Sequence, residues 1–143
     1  MGRRLIVREE IWDIGGGFSM SRSRKWAAEV LMVEIHEGGL RGRGEGVPNR
    51  RQGEKLEDVA AQIAKVRDLV ESGSLNRAGL QTLLPPGAAR NALDCALFDL
   101  EAKTSGRRVW ELAELAGLPP PPDLITAYTL SLGSPADMGA AAK

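Results

Sequence analysis

Apolar positions along this chain first fall in short, β-branched runs, then recur at every third or fourth residue, then return to a short strand-like run. Leu5 to Ile14 mixes β-branched and aromatic residues with charges, which predicts a strand. Gly15-Gly16-Gly17 predicts a break, because residues without Cβ make extended pairing costly, and a loop is expected over Phe18–Lys25. Ala28 to His36, centred on Val30-Leu31-Met32-Val33, is the strongest strand pattern. Gly38-Gly39 signals a turn, so Leu40 to Glu45 can return as an antiparallel partner, weakened by Gly42 and Gly44.

From Glu54 the period lengthens. Leu56, Val59, Ala60, Ile63, Val66, Leu69 and Val70 form one helical stripe that Gly73 stops. A short helix is expected over Arg77–Leu83, and another opens after Pro86-Gly87. On that helix Ala88, Ala92 and Ala96 adjoin Leu93, Leu97 and Leu100, and small side chains there permit a close backbone neighbour. Gly106 ends it, and Val109 to Ala116 reads as one more helix. Pro119 to Pro122 form a connector that excludes helix. Leu124 to Leu132 returns to strand character, and Ser134-Pro135 can cap and open a final helix. The order predicts an α+β fold: a three-stranded antiparallel sheet with helices, then the start of a strand–helix unit.

Composition narrows the classes. With 19 basic and 19 acidic residues the net charge is zero, so no overall field would recruit nucleic acid or an anionic membrane. No apolar run reaches the roughly 20 residues of a membrane span, and the N-terminus lacks a signal-peptide core. The single cysteine, Cys95, excludes an internal disulfide and reads as a buried, inert thiol. A reducing, cytoplasmic setting is the expectation. His36 is the only histidine, which rules out metal sites built on paired imidazoles.

Few residues suggest chemistry on their own. Gly42-Arg43-Gly44-Glu45-Gly46 lacks the spacing and lysine of a phosphate loop, and its glycines fit close packing better. Asp94 and Asp99 diverge by roughly 140° on a helix, so they cannot converge on one substrate; Arg90 can meet Asp94 one turn away. Arg22, beside Phe18 and several serines, could clamp a carboxylate, although composition alone favours a solvated arginine. Thr129 is either a β-former chosen for shape or a hydroxyl aimed into a barrel mouth.

The stretch Leu84 to Leu100, LPPGAARNALDCALFDL, resembles the signature of dipeptide epimerases of the enolase superfamily. Further matches are Phe18–Arg22, Ala28–Ile35, Gly42–Glu45, Pro48 with Arg51, Gly53-Glu54 and Thr126–Leu132. The helix signature alone would indicate only the wider muconate-lactonizing subgroup. The resemblance implies an enolase N-terminal-like capping domain over residues 1–118, a proline connector over 119–123, and the truncated start of a TIM-type barrel over 124–143. It implies proton transfer at the α-carbon of the second residue of a dipeptide such as L-Ala-L-Glu. In such enzymes Mg2+ held by three carboxylates stabilises the enolate and two lysines act as bases. Those residues belong to later barrel strands, so no catalytic residue and no metal ligand is expected within these 143 residues. Turnover by them alone is not expected either. The substrate-binding residues implied are Arg22, Phe18 and Arg51 in two closing loops, Gly15–Lys25 and Val47–Gly53, and Thr129 on the first barrel strand.

The second loop departs from the family pattern. Gly46, Asn49 and Gln52 replace a cysteine and two tyrosines, and Arg50 adds a charge, which points toward a more polar dipeptide. The expected partners are the dipeptide and the barrel domain or other copies of the chain, a homo-oligomer included. Two other readings stay open: a cycloisomerase or N-acylamino acid racemase of the same subgroup, and a stand-alone binding or dimerisation module. The orphan strand Leu124–Leu132 argues against the module.

Overall fold

The computed structural model describes residues 2–113 and 122–143. Three strands, β1 (Arg4–Met20), β2 (Ser23–Glu37) and β3 (Leu40–Gly46), form one sheet in the order β1-β2-β3. The helices are α1 (Leu56–Lys65), α2 (Arg67–Glu71), α3 (Arg77–Leu83), α4 (Ala88–Ser105), α5 (Val109–Leu112) and α6 (Pro135–Ala141). The chain divides into two compact units. One comprises Met1–Glu10 with Glu29–Ala116, the other Ile11–Ala28 with Gly117–Lys143.

In the first unit the sheet packs on α4. Leu31, Val33 and Ile35 of β2 point into a core shared with Val59 and Ile63 of α1, Val70, Leu80 and Leu93. β2 and β3 pair antiparallel in the register Val33 with Gly44, as the Gly38-Gly39 turn requires. The glycines of β3 lie against the alanines of α4 with no side chain between them. A Cβ at Gly42 would stand 2.6 Å from Leu100 Cβ, and one at Gly44 2.7 Å from Ala96 N. Each would be closer still to a helix carbonyl, that of Ala96 or Ala92, and one at Gly46 would meet Ala88 O at 2.5 Å. The expected close approach is therefore a contact of backbone with backbone.

β3 is an edge strand, and three of its backbone groups are taken by polar side chains of α4. Arg43 N donates to Asp99 Oδ2 at 2.8 Å, Asn91 Nδ2 to Glu45 O at 3.1 Å, and Lys103 Nζ to Arg41 O at 2.7 Å. Asp94 lies apart from Asp99, beside Arg77 at 3.4 Å and Gln81 at 3.2 Å, as the helical divergence requires.

Several expectations need correction. The triple glycine does not end β1: Gly16 and Gly17 take positive φ values of 76° and 72° within the strand. Cross-strand packing in the second unit outweighs glycine's low propensity there. A Cβ on Gly17 would strike the Trp26 ring at 2.9 Å, and Arg24 stacks on that ring at 4.1 Å while donating to Gly16 O. The long helical stripe splits at Val66, where a tightened turn carries Val66 N to Ile63 O, and Leu69 faces solvent. Arg90 does not pair with Asp94; it reaches the carbonyls of Gln81 and Leu84 at the end of α3. Cys95 is exposed, because it sits one residue off the alanine stripe that faces β3.

α3 has its expected bounds, and Gly106 closes α4 at φ 66°. α5 stops at Leu112 and Ala113 turns, while residues 114–116 of its expected span, with most of the proline connector, lie outside the described residues. Ser134 caps α6 by accepting from Asp137 N, with Pro135 at the first position. Leu124–Leu132 is not a strand: residues 122–134 are irregular. A barrel strand gets its ladder from neighbours on both sides, and among the described residues one backbone bond, Leu132 N to Ser19 O, meets the segment.

Candidate functional site

The second unit gathers three of the four residues singled out for substrate contact. Arg22 sits in the two-residue turn between β1 and β2, fully outside the ladder and exposed. Phe18 lies near the end of β1, partly buried. Ser19 ties this strand end to the tail: its N–H donates to Ser131 Oγ at 2.9 Å, and its carbonyl accepts from Leu132 N at 2.9 Å. These two bonds carry the segment holding Thr129 to the strand end that holds Phe18. Ser19 and Ser131 were absent from the candidate residues. Both lie inside stretches that match the family, Phe18–Arg22 and Thr126–Leu132, and Ser131 shares a strand face with Thr129, but neither signal gave them a role.

Arg51 belongs to the first unit. It lies in a short 3-10 turn, Arg50–Gln52, capped by Asn49, whose Oδ1 accepts from Arg51 N at 3.1 Å. Gln52 N and Glu54 N both donate to Asn49 O, at 2.9 and 3.2 Å, so the loop closes on itself. Glu54 then reaches outward, accepting from Asn49 N at 2.7 Å and from Ala88 N at 2.9 Å. Arg50 pairs with Glu29 on β2. A shallow groove of about 550 Å³ runs beside the loop, lined by Glu29, Pro48, Arg50, Glu54 and neighbours. Among the described residues the guanidinium groups of Arg22 and Arg51 have no partner, which leaves both available to an anion.

The densest charge cluster lies elsewhere in the first unit. Glu34 is 3% exposed, with Arg8 at 3.2 Å, Arg41 and Arg43 at 3.4 Å, and His36 Nε2 at 3.0 Å. The hydrogen bond from His36 holds its carboxyl below the usual range. Burial opposes this, and Arg8 and Arg41 add to the lowering. Partial burial, then the charges of Asp94 and Glu45, push the Cys95 thiol up, away from nucleophilic use.

Among the described residues no group of three His, Cys, Asp or Glu side chains could hold a metal ion. No helix among them is long and apolar enough to cross a membrane.

Comparison with known proteins agrees with this architecture. Residues 3–113 match the mandelate racemase/muconate lactonizing enzyme N-terminal domain. The chain is 44% identical to L-Ala-D/L-Glu epimerase of Escherichia coli (strain K12) over 136 residues, which is 95% of this chain and 41% of that protein. It superposes with a TM-score of 0.83 and 45% identity on an enolase family member from Agrobacterium tumefaciens with homology to dipeptide epimerases. That structure holds sodium and L-Ala-L-Glu with an ordered loop, and the match covers 97% of this chain and 41% of that one. A dipeptide epimerase from Enterococcus faecalis V583, complexed with Mg and L-Leu-L-Tyr, gives a TM-score of 0.77 at 26% identity, over 99% of this chain and 42% of that one. The chain thus spans about 41% of the length of the relatives it matches. By residues 3–113, sheet and helices together, it belongs to the mandelate racemase/muconate lactonizing enzyme family.

Proposed function

We propose that this chain is the capping portion of a dipeptide epimerase, with residues 1–118 as the cap, 119–123 as the connector and 124–143 as the entry to a catalytic barrel. The observation that carries the proposal is the exposure of the apolar tail. Leu124 is 78% exposed, Ile125 104%, Tyr128 86% and Leu132 51%. A run this apolar left in water is what a barrel strand looks like without its neighbours, and it is a poor surface for a stand-alone module. The identity to L-Ala-D/L-Glu epimerase supports the choice of chemistry.

In this reading the cap selects the dipeptide and excludes water, while proton abstraction and return at the α-carbon belong to barrel residues. Arg22 and Arg51 offer guanidinium groups to the substrate's carboxylates, Phe18 provides an apolar wall and Thr129 a hydroxyl. Magnesium, when bound, would neutralise the enolate; its donors lie outside the residues described here. A cytoplasmic location and a homo-oligomer belong to the same proposal.

The test uses the enzyme in which these residues are joined to a barrel. Incubation with L-Ala-L-Glu in D2O should place one deuterium at the glutamyl α-carbon and yield L-Ala-D-Glu, read by NMR and chiral chromatography. A panel of dipeptides that all come through without deuterium would refute the proposal. Arg22→Ala should raise KM for dipeptides ending in Glu by about tenfold or more, with a smaller rise for neutral ones. Equal rises would remove Arg22 from substrate choice.

A further inference from the structure

We infer that Glu54 is a positioning residue for substrate choice: it pins loop 47–53 to the first turn of α4 and thereby fixes where Arg51 stands. The inference rests on the epimerase reading above. The Glu54 carboxylate accepts one backbone N–H from each element, Asn49 on the loop at 2.7 Å and Ala88 on the helix at 2.9 Å. α4 needs such a partner. It opens on Gly87, which has no side chain to cap it, and its first turn holds no acidic residue. A carboxylate from outside supplies both the missing acceptor and the negative charge favoured at a helix N-terminus. Gly87 also makes the room: a Cβ there would sit 3.5 Å from Glu54 Cδ and nearer still to Oε1.

The loop side of the link is equally specific. Asn49 is the hub of the turn, since its carbonyl accepts from Gln52 N and Glu54 N and its side chain from Arg51 N. Gly53 N completes the ring by donating to Arg50 O at 3.2 Å. Whatever holds Asn49 therefore holds Arg51. The other tie, Arg50 to Glu29, joins side chains 76% and 50% exposed, and an ion pair that open to water anchors weakly. Glu54 is the stronger anchor, with two charge-assisted bonds to backbone.

Amide hydrogen exchange on this chain tests the anchor without any assumption about chemistry. In Glu54→Ala the amides of Asn49 and Ala88 should exchange at least about tenfold faster, while those of Leu31 and Ile35 stay protected. Glu54→Gln keeps one acceptor oxygen and should preserve protection at one of the two amides. Unchanged exchange at Asn49 in Glu54→Ala overturns the inference. If that variant also loses protection at Leu31, it has unfolded and Glu54→Gln decides: wild-type protection at both amides then overturns it. In the barrel-bearing enzyme, Glu54→Ala should reduce the preference for L-Ala-L-Glu over L-Ala-L-Leu by about tenfold. The change should fall on KM, with kcat within about twofold and partial rescue by Glu54→Gln. A loosened loop with unaltered preference overturns the positioning role. Wild-type enzyme inert toward every dipeptide overturns the epimerase reading and the substrate half of the inference, and leaves the exchange result standing.

Discussion

Gly44→Ala tests the backbone seam between β3 and α4 most directly. The added methyl would lie 2.7 Å from Ala96 N and 3.0 Å from Cys95 Cβ, with Ala92 O closer than either. Ordinary contact needs about 3.5–4.0 Å, so β3 and α4 must separate by roughly 1 Å. The atoms in the way are mostly helix backbone and cannot turn aside as a flexible side chain would. Separation also strips contact from Gly42, Gly46 and the core leucines of α4. Overpacking of this kind costs about 3 kcal/mol, a large share of the roughly 5–15 kcal/mol that holds a domain together. The melting temperature should fall by about 10 °C. Urea unfolding followed by circular dichroism at 222 nm gives the number. Gly15→Ala is the control, since nothing lies within 4 Å of its Cβ position and its φ is not positive, and it should stay within about 0.5 kcal/mol of wild type. Ala92→Gly should not rescue Gly44→Ala, because the obstacle is the carbonyl of Ala92 and not its methyl. A Gly44→Ala chain as stable as the control, or one rescued by Ala92→Gly, would show the seam to be looser than its geometry.

Two more tests concern the titrating groups. Glu34 has a lowered folded-state pKa, so the stability it contributes is complete above its unfolded value of about 4.3 and is lost as pH falls through the lower folded value. Glu34→Gln should therefore destabilise the chain near pH 7 and flatten the fall in stability below about pH 4, read from denaturation midpoints across pH; an acid limb as steep as wild type would contradict this. Cys95 is exposed but its thiol is pushed up, so alkylation by iodoacetamide should be slower at pH 7.5 than for free cysteine and should accelerate well above pH 8.5, the ordinary thiol value. Labelling at the free-cysteine rate at pH 7.5 would count against the raised value.

What could be read from residues alone was whatever a side chain's size or absence dictates. Gly42 and Gly44 beside an Ala88–Ala92–Ala96 stripe announce a close approach, because no other reason for such a pattern fits a strand and a helix. Ser134 before Pro135, and Gly38-Gly39 between alternating runs, are likewise local geometry written in residue type. The failures share a cause: the deciding partner lies far along the chain. Gly15-Gly16-Gly17 looked like a break until Trp26 and Arg24 of the next strand are seen to pack over it. Arg90 had Asp94 one turn away, yet the free carbonyls closing α3 drew it instead. Leu124–Leu132 has the apolar and β-branched make-up of a strand, but composition supplies no neighbour to pair with. For the candidate site, the roles of Arg22, Phe18, Arg51 and Thr129 came from likeness to a family. Glu54 stood within one of the family matches, Gly53-Glu54, but without a role, since its two partners are backbone amides with no residue identity to read.

The polar pegs that α4 drives into the outer rim of β3 have a further effect. Asp99, Asn91 and Lys103 occupy the N–H and C=O groups that an incoming peptide would use to extend the sheet. On that flank a stray segment or a sister molecule would have to displace these three side chains to zip onto the sheet while the helix stays docked. Association through β3 would first require them to let go, which ties resistance to fibril-like stacking to the integrity of one helix.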